Sequence, residues 1–204
     1  RESLRTRNIR VYLKGKLLES GALIDHPFIR GHVNAAAMTY DMAFDPKYED
    51  LLTTTSHLTG KKINRFTSIH SCAGDLIKKV KMLRAISQKT GTCYQRCVGL
   101  DALNAVFSVT YEMDKQLGTG YHKNFLEFLL RWQENDWMVA GAMTDPKGDR
   151  GLSPSQQEDP DLYVHVIKKD ERGIWIRGAK AHMTGMVNSH WMLIMPTSGY
   201  GEAD

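Results

Sequence analysis

The chain has 204 residues, of which 42% are hydrophobic and 25% are charged, and its formal net charge is +4 at pH 7. This composition is typical of globular proteins and excludes disordered, collagen-like and disulfide-rich classes. No apolar run approaches the roughly 18 residues that a membrane-spanning helix needs. A nucleic-acid-binding domain usually carries a denser basic stripe, so neither nucleic acid nor a membrane is an expected partner.

The cysteine content and the first residues of the chain predict the cellular compartment. Three cysteines and a charged beginning without an apolar signal core indicate reduced thiols and a cytoplasmic location. The sequence begins without Met and stops at residues 201–204, in the middle of predicted β structure. We therefore expect a trimmed or processed start and a fragment of a longer protein.

Apolar residues at helical spacing predict four helices in the first two thirds of the chain. The first covers residues 34–42, and the second begins near a capping Asp75. The apolar stripes of the last three helices are Leu76, Val80 and Leu83; Leu103, Val106, Phe107 and Thr110; and Phe125, Phe128, Leu129 and Trp132. Because each helix has one such stripe, we expect the helices to pack as a bundle.

The chain changes character after residue 138. A polar loop over residues 143–160 is longer than loops in compact domains normally are. Alternating apolar residues, with a charged turn at 169–173, then predict three strands, at residues 162–167, 174–176 and 192–195. The predicted fold class is α+β.

The change of character also divides the chain into two predicted domains. A helical domain covers residues 1–138, and the beginning of a β domain covers residues 139–204. A few strands at the end of a chain make a poor independent sheet, so the second domain is predicted to be incomplete.

Two cysteines lie four residues apart in the segment Cys93-Tyr94-Gln95-Arg96-Cys97. If this segment is helical, both thiols lie on one face with Cβ atoms roughly 5–6 Å apart. Two thiolates at that spacing can bind one iron–sulfur cluster or one soft metal ion. A cluster normally needs four ligands, and no matching spacing is found among Cys72 and the histidines. Two buried structural cysteines are therefore the alternative interpretation.

A second candidate site is the loop Thr144-Asp145-Pro146-Lys147-Gly148-Asp149-Arg150-Gly151. Its turn-forming residues, two cations and carboxylates can hold a pyrophosphate or the polar edge of a flavin. The alternative is a solvated surface turn whose charges neutralise one another. The chain contains neither a P-loop nor a Rossmann glycine motif.

A third candidate is the segment Gly178-Ala179-Lys180-Ala181-His182-Met183-Thr184-Gly185, which follows a predicted strand. Its small residues let a flat ligand approach closely, and the Thr184 hydroxyl can donate to a ring nitrogen. The alternative is an ordinary loop histidine at His182 and a turn threonine at Thr184.

Taken together, these segments resemble the 4-hydroxybutyryl-CoA dehydratase family. The likeness runs over essentially the whole chain. It is carried by residues 88–105, 142–151 and 178–182, with shorter matches at 25–27, 121–125 and 133–136. The Asp-Pro…Asp-Arg loop and the Arg-Cys-x-Gly segment are shared with the wider group of flavin-dependent 4-hydroxyphenylacetate 3-monooxygenases.

The resemblance implies an acyl-CoA dehydrogenase-like fold, in which a helical domain, a β-barrel domain and a C-terminal helical bundle follow one another. The final bundle is absent from this chain. The implied activity is dehydration of 4-hydroxybutyryl-CoA to crotonyl-CoA, with isomerisation of vinylacetyl-CoA, by a flavin radical mechanism assisted by a [4Fe–4S] cluster. The implied partners are an acyl-CoA substrate and three further copies in a homotetramer.

The resemblance also implies roles for individual residues. Cys93 and Cys97 would be two cluster ligands, while the other two ligands and the catalytic base lie beyond this sequence. Thr184 is the one catalytic assignment, because it would hydrogen-bond the flavin near its reactive nitrogen. The implied FAD contacts are Met143, Thr144, Asp145, Lys147, Gly148, Asp149, Arg150, Lys180, His182 and Thr184.

Two alternatives to the dehydratase remain open from the sequence. One is a two-component flavin monooxygenase acting on a phenol, in which Arg96 would bind the substrate hydroxyl. The pairing of Cys93 with Cys97 counts against it, because that chemistry has no use for a cluster. The other is a non-catalytic domain that only packs against a partner chain.

Overall fold

The computed structural model describes residues 1–19 and 21–195, which divide into two compact units. Unit 1 comprises Arg1–Ala140 and Gly185–Trp191. Unit 2 comprises Gly141–Thr184 and the segment that begins at Met192. The first segment of unit 2 is thus inserted between the two parts of unit 1, and its second segment follows unit 1 in the chain.

Helices dominate unit 1, and the four predicted helices are confirmed. The α-helices are α1 (Pro27–Asp41), α2 (Glu49–Leu52), α3 (Ala73–Thr90), α4 (Cys97–Leu117) and α5 (Tyr121–Asn135). α1 begins earlier than predicted because Pro27 fits a first helical turn and the imidazole of His26 accepts the Phe28 N–H. Within the described residues, no helix has both the length and the apolar character needed to cross a membrane.

The buried face of α3 differs from the predicted one. Leu76 and Val80 are more than half exposed, whereas Met82 and Ile86 are fully buried. The helix has apolar side chains on two sides, and α1 and α2 pack against the side that carries Met82 and Ile86. The predicted stripe of Leu76, Val80 and Leu83 is therefore wrong, because periodicity does not reveal which of two apolar faces a neighbour covers.

Every sheet within the described residues has two strands. The pairs are β1 (Val11–Leu13) with β2 (Lys16–Leu18), β3 (Thr53–Thr55) with β4 (Lys62–Asn64), β5 (Val139–Ala142) with β8 (Trp191–Ile194), and β6 (His165–Asp170) with β7 (Gly173–Arg177). The first two hairpins and β5 were not predicted, because strands of three or four residues are too short to show alternation. The mixture of helix and strand confirms the α+β class.

The β6–β7 hairpin is longer than predicted on its turn side. β6 begins at His165 rather than 162 and continues to Asp170, so the turn contains only residues 171 and 172. The Asp170 carboxylate closes the turn by accepting the Arg172 N–H at 2.9 Å. The charged residues that predicted a five-residue turn are thus partly strand residues.

The N-terminal turns of α4 lie very close to β5. A Cβ added at Gly99 would lie 2.8 Å from the Val139 carbonyl oxygen and 3.8 Å from the Trp132 ring. Only glycine permits this approach of helix and strand. The contact therefore positions the beginning of α4, where Cys97 lies, against the buried strand β5.

We expect Gly99→Ala to lower the free energy of unfolding by about 1–3 kcal/mol, because the new methyl group overlaps a backbone oxygen. Gly31→Ala in α1 is the matched control, since nothing lies within 4 Å of a Cβ there. That variant should be more stable by about 0.5–1 kcal/mol, the helix-propensity difference between the two residues. Urea unfolding measures both, and similar effects at the two positions would contradict the close approach.

Candidate functional site

The Cys93–Cys97 segment is a loop between α3 and α4 rather than a helical turn. Cys93 is exposed in the loop, and Cys97 is the first, half-buried residue of α4. The helical condition for the predicted Cβ spacing is therefore not met. Burial raises the pKa of the Cys97 thiol, and the charge of Cys93 raises it further.

Gln95 fixes the shape of this loop. Its φ of 68° lies in the left-handed region, which is uncommon for residues other than glycine. Its buried side chain accepts the Asn188 Nδ2–H at 2.7 Å, and its Nε2 lies 3.1 Å from Nδ1 of His32. Sequence analysis did not single out Gln95, because its partners are distant in the chain.

Arg96 is buried in unit 1, with 3% of its side chain exposed. Its guanidinium carbon lies 3.9 Å from the ring centroid of Tyr40 and 4.4 Å from that of Phe66. It donates to Asp136 Oδ1 at 3.1 Å and to Thr39 Oγ1 at 3.0 Å. These contacts stabilise the unit. The substrate-binding role of Arg96 stays a prediction, and a substrate hydroxyl would compete with these partners.

A cavity of about 420 Å³ lies beside this cluster in unit 1, bordered by Tyr40, Asp136 and Asn188. The Tyr40 hydroxyl and Asn188 Oδ1 are buried and have no hydrogen-bond partner within the described residues. Burial raises the pKa of Tyr40 to about 12, so its hydroxyl keeps its proton at neutral pH. A cavity of this size can hold water.

The two cysteines can supply part of a metal site. In the described ranges, no group of three or more His, Cys, Asp or Glu side chains is arranged to hold a metal ion. Thiolates are the donors that iron–sulfur clusters use. Cys93 and Cys97 are therefore of the donor type that such a cluster uses, and a cluster held by them would need further ligands.

The other two candidate segments lie side by side in unit 2. The Ala181 N–H donates to the Thr144 carbonyl oxygen at 2.9 Å, which joins the two segments. Along the loop after β5, the side chains exposed to solvent are Met143, Thr144, Lys147, Asp149 and Arg150. A ligand can therefore reach both cations of the loop.

Lys180 is buried and holds the loop in place. Its side chain is 3% exposed and pairs with the Asp145 carboxylate, which is 6% exposed. The ammonium also donates to the carbonyl oxygens of Met143, at 3.1 Å, and Met195, at 2.8 Å. These three acceptors use all three N–H groups of the ammonium. Lys180 therefore shapes the loop, and its charge is already compensated.

Gln157, which sequence analysis missed, closes the same loop. Its side-chain amide accepts the Asp149 N–H at 2.9 Å and donates to the carbonyl oxygens of Asp149 and Leu152, at 2.9 and 3.2 Å. A Cβ at Gly148 would lie 2.2 Å from Gln157 Oε1, so glycine is required there for packing. No sequence pattern marks this glutamine, because a polar loop residue is normally exposed.

An open depression of about 620 Å³ also borders this loop. The charged residues that line it, Asp149, Glu158 and Asp159, are all acidic. A pyrophosphate would be repelled there. Lys147 and Arg150 are therefore the residues of the loop that can attract an anion.

His182 and Thr184 lie on an exposed stretch after Lys180. His182 has a φ of 54°, and both side chains are exposed to solvent. The structure thus brings the beginning of the loop, residues 143–145, together with Lys180 and Ala181, whereas Cys93 and Cys97 lie at the two ends of the loop before α4.

The whole chain matches a known protein family. The family is described as 4-hydroxyphenylacetate 3-hydroxylase N terminal, and its model matches residues 1–204. Among curated proteins, the 4-hydroxybutyryl-CoA dehydratase/vinylacetyl-CoA-Δ-isomerase of Clostridium aminobutyricum is 59% identical over 203 residues. That alignment covers 100% of this chain and 41% of the relative.

Solved structures agree with the sequence matches. The oxygen-tolerant 4-hydroxybutyryl-CoA dehydratase of N. maritimus matches with a TM-score of 0.92 and 50% identity, over 100% of this chain and 40% of that one. The oxygenase component of 4-hydroxyphenylacetate 3-monooxygenase in complex with FAD matches with a TM-score of 0.77 and 28% identity. That match covers 96% of this chain and 40% of the other chain. These matches confirm the resemblance found in the sequence, and the chain spans about two fifths of each relative.

We expect Arg96→Met to lower the free energy of unfolding by about 3 kcal/mol, because the buried side chain loses its hydrogen bonds to Thr39 and Asp136 and its contacts with two aromatic rings. Arg131→Met on the exposed surface of α5 is the control and should change it by less than about 0.5 kcal/mol. Denaturant unfolding measures both variants. Equal losses would mean that the Arg96 contacts contribute nothing specific to stability.

Proposed function

The chain belongs to the 4-hydroxyphenylacetate 3-hydroxylase N-terminal family, and on that premise we propose that it forms the N-terminal part of a dehydratase. The enzyme dehydrates 4-hydroxybutyryl-CoA to crotonyl-CoA and isomerises vinylacetyl-CoA. The observation that carries the proposal is the 59% identity to a protein of that activity over the full length of this chain. The neighbouring thiols of Cys93 and Cys97 support it, because they provide cluster ligands.

The complete protein is proposed to have an acyl-CoA dehydrogenase-like fold and to act as a cytoplasmic homotetramer. Two-stranded sheets such as β5–β8 are marginally stable alone, which supports a larger β-barrel completed by further strands. A C-terminal helical bundle would follow the barrel. The coverage of about two fifths of the relatives leaves room for both.

A [4Fe–4S] cluster is proposed as the first cofactor, with Cys93 and Cys97 as two of its ligands. When bound, the cluster supplies a Lewis-acidic iron that can draw a hydroxyl group from the substrate. The chain itself presents one thiol on an exposed loop and the other at the N-terminus of α4. There the N–H groups of Cys97 and Val98 lower the pKa of Cys97 and oppose the effect of burial.

FAD is proposed as the second cofactor and supplies an acceptor for one electron at a time. The exposed Lys147 and Arg150 would bind its pyrophosphate. The Thr184 hydroxyl would donate to the flavin ring near its reactive nitrogen. The remaining proposed contacts are Met143, Thr144, Gly148, Asp149 and His182. Lys180 and Asp145 act indirectly, because their buried ion pair fixes the loop that carries those residues.

The phenol monooxygenase is the weaker alternative. Its structural relative is 28% identical to this chain, against 59% for the dehydratase. The role that it needs for Arg96 competes with the contacts of that side chain to Tyr40, Phe66 and Asp136. Oxygen-dependent hydroxylation of a phenol by the full-length protein would favour this alternative.

We expect Cys93→Ala in the full-length protein to abolish both the cluster and dehydration while FAD stays bound, because one iron loses its ligand. Cys72→Ser is the matched control and should keep about four irons per chain. The measurement is iron, acid-labile sulfide and flavin content of protein purified without oxygen. Full dehydratase activity in Cys93→Ala would overturn the cluster assignment.

We expect Lys180→Met to weaken FAD binding by about tenfold or more, since it removes the cation beside the buried Asp145 carboxylate and releases the Met143 carbonyl. Lys169→Met on the exposed side of β6 is the control and should bind FAD normally. Titration of the apoprotein with FAD, followed by fluorescence, measures both affinities. Wild-type affinity in Lys180→Met would show that the loop does not need its buried cation.

A further inference from the structure

Asn188 connects two parts of unit 1 that are far apart in the chain. It ends the short 3-10 turn Met186–Asn188, and its side chain is 1% exposed. Its Nδ2–H donates at 2.7 Å to Oε1 of Gln95, which lies 93 positions earlier and midway between Cys93 and Cys97. A buried side-chain hydrogen bond therefore joins this turn to the loop that carries both thiols.

Each partner of this bond is held in an unfavourable state. Gln95 has a left-handed backbone, and Asn188 Oδ1 is buried without a partner in the described part of the chain. A glycine at 95 would relieve the first cost, and an apolar residue at 188 would relieve the second. Packing alone does not account for a left-handed glutamine at 95 or for a buried polar side chain at 188. The hydrogen bond between the two side chains accounts for both features.

The turn around Asn188 is fixed on its other sides. Arg7 donates to the carbonyl oxygens of the residues immediately before and after it. The Ser189 hydroxyl donates to the Gly185 carbonyl oxygen at 2.6 Å, within the same turn. Gly185 itself packs so closely that an added Cβ would lie 2.9 Å from the Cβ of Gln95. The backbone on both sides of Asn188 is thus held in place, so its side chain can hold Gln95 in one position.

We propose that Asn188 is a positioning residue, which acts through Gln95 to fix the backbone of the Cys93–Cys97 loop and hence the separation of the two thiols. This inference rests on the proposed function, in which the thiols bind iron. Cys93 belongs to no helix or strand, so its place depends on such contacts. Without the bond to Asn188, the loop would take other conformations, and the thiols would no longer match two irons of one cluster.

The test compares Asn188→Ala with Ser56→Ala in the full-length protein. Each variant removes a buried side-chain hydrogen bond of 2.7 Å in unit 1, but the bond of Ser56 goes to Gln133 on α5. Each also removes weaker bonds, from Asn188 to the His32 carbonyl oxygen at 3.5 Å and to Ser56 from two backbone N–H groups at 3.2 and 3.3 Å. Asn188→Leu is a second variant that keeps the branched shape of the side chain and removes its amide donor without adding a charge. It therefore separates loss of the hydrogen bond from loss of packing.

Hydrogen–deuterium exchange of peptides that cover residues 93–97 is the first readout. Both Asn188 variants should exchange there about tenfold faster, the change expected when one hydrogen bond that holds a loop is lost. Ser56→Ala should leave that segment as in the wild type. Equal exchange in the Asn188 variants and in the control would overturn the inference.

Iron and flavin content of the same proteins is the second readout. Both Asn188 variants should lose iron and keep FAD, and Ser56→Ala should keep both. Full iron occupancy in both Asn188 variants would overturn the positioning role. Wild-type protein that contains no iron would overturn the proposed function instead, and the exchange measurement would still decide whether Asn188 positions the loop.

Discussion

The guanidinium of Arg96 is removed from water and therefore needs acceptors and a counter-charge inside the protein. It obtains them from Thr39 on α1 and Asp136 at the end of α5, while Tyr40 and Phe66 offer their ring faces. The partners come from separate stretches of the chain. One charge thus fixes the helices of unit 1 against the beginning of α4, and Asp136 takes the left-handed conformation that ends α5.

A buried cation has the same effect in unit 2. Lys180 compensates Asp145 and binds two carbonyl oxygens, and in doing so it fixes the loop whose exposed cations are Lys147 and Arg150. In each unit, then, a buried cation is paired with a carboxylate, and the candidate ligand-binding residues lie next to it on a loop. The buried ion pairs can therefore hold exposed loops in the fixed geometry that cofactor binding requires.

The sequence predicted what depends on neighbouring residues and missed what depends on distant ones. The long helices and the β6–β7 hairpin follow from local periodicity. Residue types and spacing singled out the thiol pair and both loop segments, and the resemblance supplied their predicted roles. The covered face of α3 and the short strands β1 to β5 were beyond local patterns. The hydrogen-bond partners of Gln95, Lys180 and Gln157 could not be predicted either, because each bond joins segments that come into contact only when the chain folds.

The insertion of the first segment of unit 2 into unit 1 has a consequence for the order of events on the ribosome. The helices made first belong to a unit whose last piece, Gly185–Trp191, is made only after the whole of Gly141–Thr184. Until then β5 lacks its partner strand, and the bond from Arg7 to the Ser189 carbonyl, across 182 positions, cannot form. Part of the apolar surface of the nascent helices therefore stays exposed until residues 185–191 have been synthesised. Chaperones bind chains with such exposed apolar surface. The unit whose synthesis begins first is thus completed only after most of the other unit has been made.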